Sequence, residues 1–115
     1  MLPAAHRLTS ARSFRSVIRD GRRAGSRTLV VHLALDPGAG HEGGAPRVGL
    51  VVSRAVGNSV VRHRVQRRLR HLVREQLDVL PASALLVVRA TPAAGGAAYR
   101  ELGADLDRCL QRVMS

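Results

Sequence analysis

The sequence predicts a single α/β domain, a small sheet sandwiched with three helices in the order α-β-β-α-β-α. Three observations predict it. Two stretches rich in β-branched and aliphatic residues, Thr28–Leu35 and Val48–Ser53, are followed by a third, Leu85–Ala90. Three other stretches carry apolar residues at helical spacing. The whole has 115 residues and is 45% hydrophobic, which suits one modest core. We read residues 1–115 as one domain, with residues 1–7 as a flexible arm.

The first helix follows that arm. Leu8 is placed to staple it and Thr9 or Ser10 to cap it. It runs to about Arg19, with Phe14, Val17 and Ile18 on its apolar stripe. Residues 21–27 form a basic loop. In Thr28–Leu35 one strand face presents Leu29, Val31, Leu33 and Leu35. The other presents Val30, His32 and Ala34, smaller and partly polar, a face able to floor a shallow groove. Asp36–Pro46 is rich in Gly and Pro and reads as a flexible loop. Val48, Leu50 and Val52 then alternate with Gly49, Val51 and Ser53. The strand-to-strand loop suggests that these two strands are antiparallel neighbours.

After a turn at Arg54–Gly57, Asn58 or Ser59 caps a helix reaching to about Leu77. Val61, Val65, Leu69 and Leu72 fall on one side of it. His63, Arg64, Arg67, Arg68, Arg70, His71 and Arg74 fall opposite, and Arg62 lies beside the apolar stripe. Leu85–Ala90 is a strand apolar on both sides. The last helix, about Ala97–Val113, sets Tyr99, Leu102, Leu106, Cys109, Leu110 and Val113 on its buried face, with Glu101, Asp105 and Asp107 largely away from it.

Charge bounds the function. The net charge is +11, and every one of the 19 Lys-or-Arg side chains is arginine. Residues 1–74 hold fifteen arginines and three acids; residues 75–115 hold four arginines and five acids. Between Arg62 and Arg74 stand six arginines, two histidines and no acid. Such a run repels itself unless a polyanion or solvent neutralises it. It also lacks the interleaved Glu of a merely solvated helix face. The planar arginine fork suits phosphate. A nucleic-acid binder is therefore the leading class.

Other classes lack residues. One cysteine, Cys109, permits no internal disulfide and points to a reducing, cytoplasmic setting. No stretch has the length and apolarity of a membrane span. There is no P-loop, nucleophile elbow or carboxylate cluster, so the chain alone carries no cutting machinery and no small-molecule site. A DNA-reading regulator would set Asn or Gln beside its arginines, and only Gln66 qualifies. A membrane-surface helix would carry Trp or Phe on its apolar face, and Val61–Leu77 has neither. A ribosomal-type protein binding structured RNA shares the charge but needs no groove.

The stretch RVGLVVS followed by RAVGNSVVRHRVQRRLRHLVRE closely resembles the signature of the bacterial ribonuclease P protein family. That signature is a strand ending V-S-[KR], then G-N-[AS]-V, then a helix R-N-R-x-K-R-x-x-R. Gly57, Asn58, Val60, Arg62, Arg64, Arg67 and Arg70 stand at matching places. RLTSARSFRSVIRDG is similar to the family's first helix, and Arg89-Ala90-Thr91-Pro92 to its exit from the last strand. The chain departs from the pattern at His63, where the family has Asn, and at Gln66, where it has Lys. Ile18 stands where a second aromatic is frequent, and His32 where Tyr is frequent.

The resemblance implies a four-stranded sheet with three helices and a left-handed β-α-β crossover through the arginine helix. The fourth strand then lies near Gly21–Arg27 or in the central loop. It also implies an RNA-binding subunit of a ribonucleoprotein endonuclease whose catalytic centre, with its Mg2+, lies in a large RNA. The reaction removes the 5′ leader of precursor tRNA. Carried over residue by residue, Asn58, Arg62, Arg64, Arg67, Arg68 and Arg70 would bind the catalytic RNA. Phe14, Ile18, His32, Val51 and Ser53 would line a groove for the single-stranded leader. No catalytic and no metal-ligating residue is implied.

Overall fold

The structure, a computed structural model, describes residues 11–35 and 46–115, with side chains in the first helix from Arg15 onward. The arm, the expected cap of the first helix and nearly all of the central loop lie outside the described residues, as does the side chain of Phe14.

Seven main elements follow in order: α1 (Ala11–Asp20), β1 (Arg22–Gly25), β2 (Leu29–Leu35), β3 (Arg47–Val51), α2 (Ser59–Gln76), β4 (Ala84–Ala90) and α3 (Tyr99–Met114). Short 3-10 turns, Arg54–Val56, Leu77–Val79 and Pro92–Gly96, join the later ones. The sheet has four strands in the order β1-β2-β4-β3. The fourth strand is β1, within the basic stretch after the first helix. It is a short edge strand, and only Ala24 of it is buried, so apolar alternation gave no sign of it.

One expectation fails. β2 and β3 are not neighbours; β4 lies between them, antiparallel to β2 and parallel to β3. The parallel pair needs a crossover of a dozen residues or more, and α2 supplies it. β4 is apolar on both sides because it sits between two strands and under two layers, which its sequence displays.

The larger core fills the side of the sheet covered by α2 and α3. Leu29, Val31, Leu33, Val48, Leu86 and Val88 meet Val65, Leu69, Leu72 and Val73 of α2 and Leu102, Leu106, Cys109, Leu110 and Val113 of α3. Cys109 is core packing. Burying each Leu or Val side chain here is worth roughly 1.5–3 kcal/mol. α1 crosses the opposite side, where Val17 packs with Val87 between Ala34, Val51 and Leu85. Gly21 turns the chain there, since a Cβ would stand 2.5 Å from the Val17 carbonyl oxygen.

Three further corrections concern single residues. Leu35, at the end of its strand, is 60% exposed rather than core. Tyr99 is exposed at the start of α3, its ring centroid 6.1 Å from that of His71. Asp105 is not an outward acid: it is 1% exposed and accepts from Thr28 N (3.1 Å) and Thr28 Oγ1 (2.5 Å), while Arg108 also donates to it. Burial pushes its carboxyl up, but the Thr28 and Arg108 hydrogen bonds outweigh burial and hold it below the ordinary value. Asp105 thereby ties α3 to the β1–β2 turn.

Candidate nucleic-acid interface

Two surfaces follow from this arrangement. The first is the side of α2 that faces away from the sheet. The chain enters the helix through Gly57, whose φ of 156° favours glycine. A Cβ there would stand 2.8 Å from Val61 Cγ1. Asn58 is the N-cap, its Oδ1 accepting from Val61 N at 3.0 Å. This gives Asn58 a structural duty.

The arginines of the helix divide into two groups. Arg64 Nη2 donates to the Gly95 carbonyl at 2.9 Å, and Arg68 Nη1 to the Ala97 carbonyl at 3.2 Å. Both therefore fasten α2 to the turn before α3. That turn packs closely on the segment before α2, since a Cβ on Gly95 would lie 2.3 Å from the Val56 carbonyl oxygen. Arg67 and Arg74, with His63, stand exposed, while Arg62 and Arg70 are half-buried. Among the described residues none of the six arginines has an acidic partner within ion-pair distance. By contrast Arg19, Arg27 and Arg108 are paired with Asp20, Glu101 and Asp105. The Nε atoms of Arg62 and Arg64 are buried without a partner.

The second surface is the α1 side of the sheet. Strand register aligns Arg23, His32, Val87 and Gly49 across it. The next row is Gly25, Val30, Arg89 and Val51. Ile18 of α1 is 37% exposed and His32 is 2% exposed. Val51 is half-buried against α1, and Ser53 is exposed just beyond the strand end. The structure thus brings Ile18, His32 and Val51 to one side of the sheet, under the helix that carries Phe14.

Sequence reasoning missed two cations on this side. Arg23 lies directly across from His32, and Arg89 Nη1 stands 3.4 Å from His32 Nε2. Arg89 had a readable signal, as the one charge in an otherwise apolar strand. Arg23 had none, because its strand was not recognised. Burial pushes the His32 imidazole below its ordinary value, and Arg89 and Arg23 push the same way.

A family model described as Ribonuclease P matches residues 2–114. This chain belongs to the ribonuclease P protein family. Its members similar to this chain include the ribonuclease P protein component of Nocardioides sp., 59% identical over 98% of this chain and 95% of that one. The component from Streptomyces avermitilis is 51% identical over 99% of this chain and 96% of that one. Among solved structures, the RNase P protein of Staphylococcus aureus superposes with a TM-score of 0.80 at 21% identity, covering 92% of this chain and 93% of that one. That of Thermotoga maritima gives 0.73 at 21%, covering 93% and 94%. The fold is shared even where little sequence is. The chain is a protein component of ribonuclease P, the ribonucleoprotein endonuclease that removes 5′ leaders from precursor tRNA.

Proposed function

We propose that the two surfaces have separate RNA partners. The outward side of α2 docks on the catalytic RNA of ribonuclease P through Arg62, Arg64, Arg67, Arg68 and Arg70, with Asn58 presenting the helix. The α1 side of the sheet holds the single-stranded 5′ leader of precursor tRNA. Phe14, Ile18, His32, Val51 and Ser53 line it, and Arg23 and Arg89 supply charge for its phosphates. Base stacking on an aromatic ring is worth about 1–3 kcal/mol, which is the role we give Phe14.

The observation that carries this reading is the set of arginines on α2 that have no acidic partner among the described residues. A helix face of that kind is suited to phosphate. Chemistry is assigned to the RNA. In this reading the Mg2+ belongs to the RNA subunit. The protein neutralises and positions. The reading places the particle in the cytoplasm, without a membrane or small-molecule partner.

Reconstitution tests it. Added to the ribonuclease P RNA of the same organism at low magnesium, the protein should stimulate cleavage of precursor tRNA. No stimulation over RNA alone would end the reading. The holoenzyme should also bind a precursor with a leader more tightly than mature tRNA, and equal affinities would remove the leader surface.

A further inference from the structure

Tyr99 is one of only two Phe, Tyr or Trp rings in the chain, the other being Phe14, and it is 39% exposed. Helical spacing set it on the buried face of α3, yet the buried stripe of that helix begins three residues later, at Leu102. The segment before it fixes its place. Arg64 holds the Gly95 carbonyl and Arg68 the Ala97 carbonyl, so residues 95–99 run along the basic side of α2. The third step of that run is a pair of rings. Tyr99 lies 6.1 Å from His71, centroid to centroid, with the planes tilted by 48°. Arg64, Arg68 and His71 follow one another at helical spacing along one edge of α2. Tilted in this way, the two rings make an open angle rather than a stack, and His71 is exposed. Arg67 stands one turn before His71 and Arg74 three residues after it, about 10 Å apart along the helix axis. Both are exposed, and neither has an acidic partner within ion-pair distance among the described residues. The acid that ends this run, Glu75, pairs with His71 itself at 3.3 Å.

We propose that Tyr99 and His71 form a platform on which one unpaired base of the catalytic RNA stacks, with Arg67 and Arg74 holding the backbone on either side of it. The proposal rests on the reading of α2 as the docking side for that RNA and makes it specific. Unpaired arginines on both sides of the rings make a polyanion the occupant. Arginines alone follow phosphates wherever they run and carry no direct sequence information. A ring face takes only a base whose own face is free. In an A-form helix each base is stacked within the helix, so the RNA feature that fits is a loop, bulge or junction. The ring pair therefore sets where along the RNA the helix sits, and the arginines hold it there.

Cross-linking and affinity test it, in the complex of the full-length protein with the catalytic RNA. With p-azidophenylalanine in place of Tyr99, irradiation should join the protein to an unpaired nucleotide of that RNA. Cross-links confined to base-paired nucleotides or to precursor tRNA, or none at all, overturn the proposal. Tyr99→Leu keeps an apolar side chain but no ring. It should weaken RNA-subunit binding about tenfold, within the range of one stacked base, and leave the salt slope unchanged, because no phosphate contact is lost. Tyr99→Phe should bind as the wild type does. His71→Ala, at an exposed position, should weaken binding without moving the urea midpoint, and it decides the matter if Tyr99→Leu fails to fold. Making the cross-linked nucleotide abasic should weaken the wild type by the same factor and Tyr99→Leu no further. If Arg67→Ala with Arg70→Ala leaves the salt slope unchanged, the reading of α2 falls and this inference with it. If that pair reduces the slope while Tyr99→Leu and His71→Ala bind as tightly as the wild type, this inference alone falls.

Discussion

Arg64 donates to the carbonyl oxygen of Gly95 at 2.9 Å, so the helix offered to RNA also holds a turn of its own chain. Arg68 repeats the contact at Ala97. The basic side of α2 is thus not uniform. Arg64 and Arg68 contribute to the fold as well as to charge, whereas Arg67 stands clear of it.

That division predicts two phenotypes. Arg64→Ala and Arg68→Ala should each lower stability by about 0.5–1.5 kcal/mol, the net worth of a hydrogen bond, read by urea denaturation. Arg67→Ala with Arg70→Ala should leave the urea midpoint nearly unchanged. That pair should instead reduce the salt slope of RNA-subunit binding by roughly two, one per phosphate contact. Equal stability losses in both pairs would erase the distinction.

Gly95 is fixed by contact rather than by turn chemistry. Gly95→Ala should cost about 1–3 kcal/mol, the usual penalty of overpacking, because the new Cβ would meet the Val56 carbonyl at 2.3 Å. Gly96→Ala, next to it and facing open space, is the control and should change stability little.

His32 makes stability fall on mild acidification. Its folded pKa is depressed below the ordinary 6.5, so between the two values the unfolded chain binds more protons. The native state is then favoured fully above about pH 6.5 and progressively less as pH falls from there toward the folded value. Arg23 and Arg89 are the charges facing the ring. His32→Phe should flatten the urea midpoint across that window. An unchanged slope would mean that His32 is not the group titrating.

Asp105 predicts a different window. Its folded pKa lies below the ordinary carboxylate value, so its contribution is complete above that value and is lost only as pH falls through the folded one. Asp105→Ala should destabilise the protein at neutral pH by about 1–3 kcal/mol, the cost of leaving buried Thr28 donors unpaired.

The fold was legible where burial is simple. The alternation in β2 and β3 and the stripe of α2 state which side faces the core, and the structure agrees at Val31, Val48, Val65 and Leu69. It was not legible where tertiary pairing decides. β1 forms because β2 offers an edge, not because its residues alternate. β4 inserts between β2 and β3 because a strand covered on both faces takes a central place, whereas chain order suggested a hairpin. The resemblance to a family supplied the fourth strand and the crossover. The site shows the same limit. The resemblance grouped His32 with Val51, and alternation supported it by placing each on the less apolar face of its strand. The Arg89–His32 contact needed the register between two strands 57 residues apart in the chain. Asp105 looked solvated because helical arithmetic at the edge of a stripe cannot see Thr28.

The central claim is that one small domain shows each of two RNAs a different surface. Cys109 is the only cysteine and is buried, so a photo-crosslinker can be placed by a single engineered thiol. From Ile18→Cys, on α1, the account predicts cross-links to the 5′ leader of precursor tRNA. From His63→Cys, on the outward side of α2, it predicts cross-links to the catalytic RNA. Cross-links from both positions to the same RNA, or the reversed pattern, would contradict it.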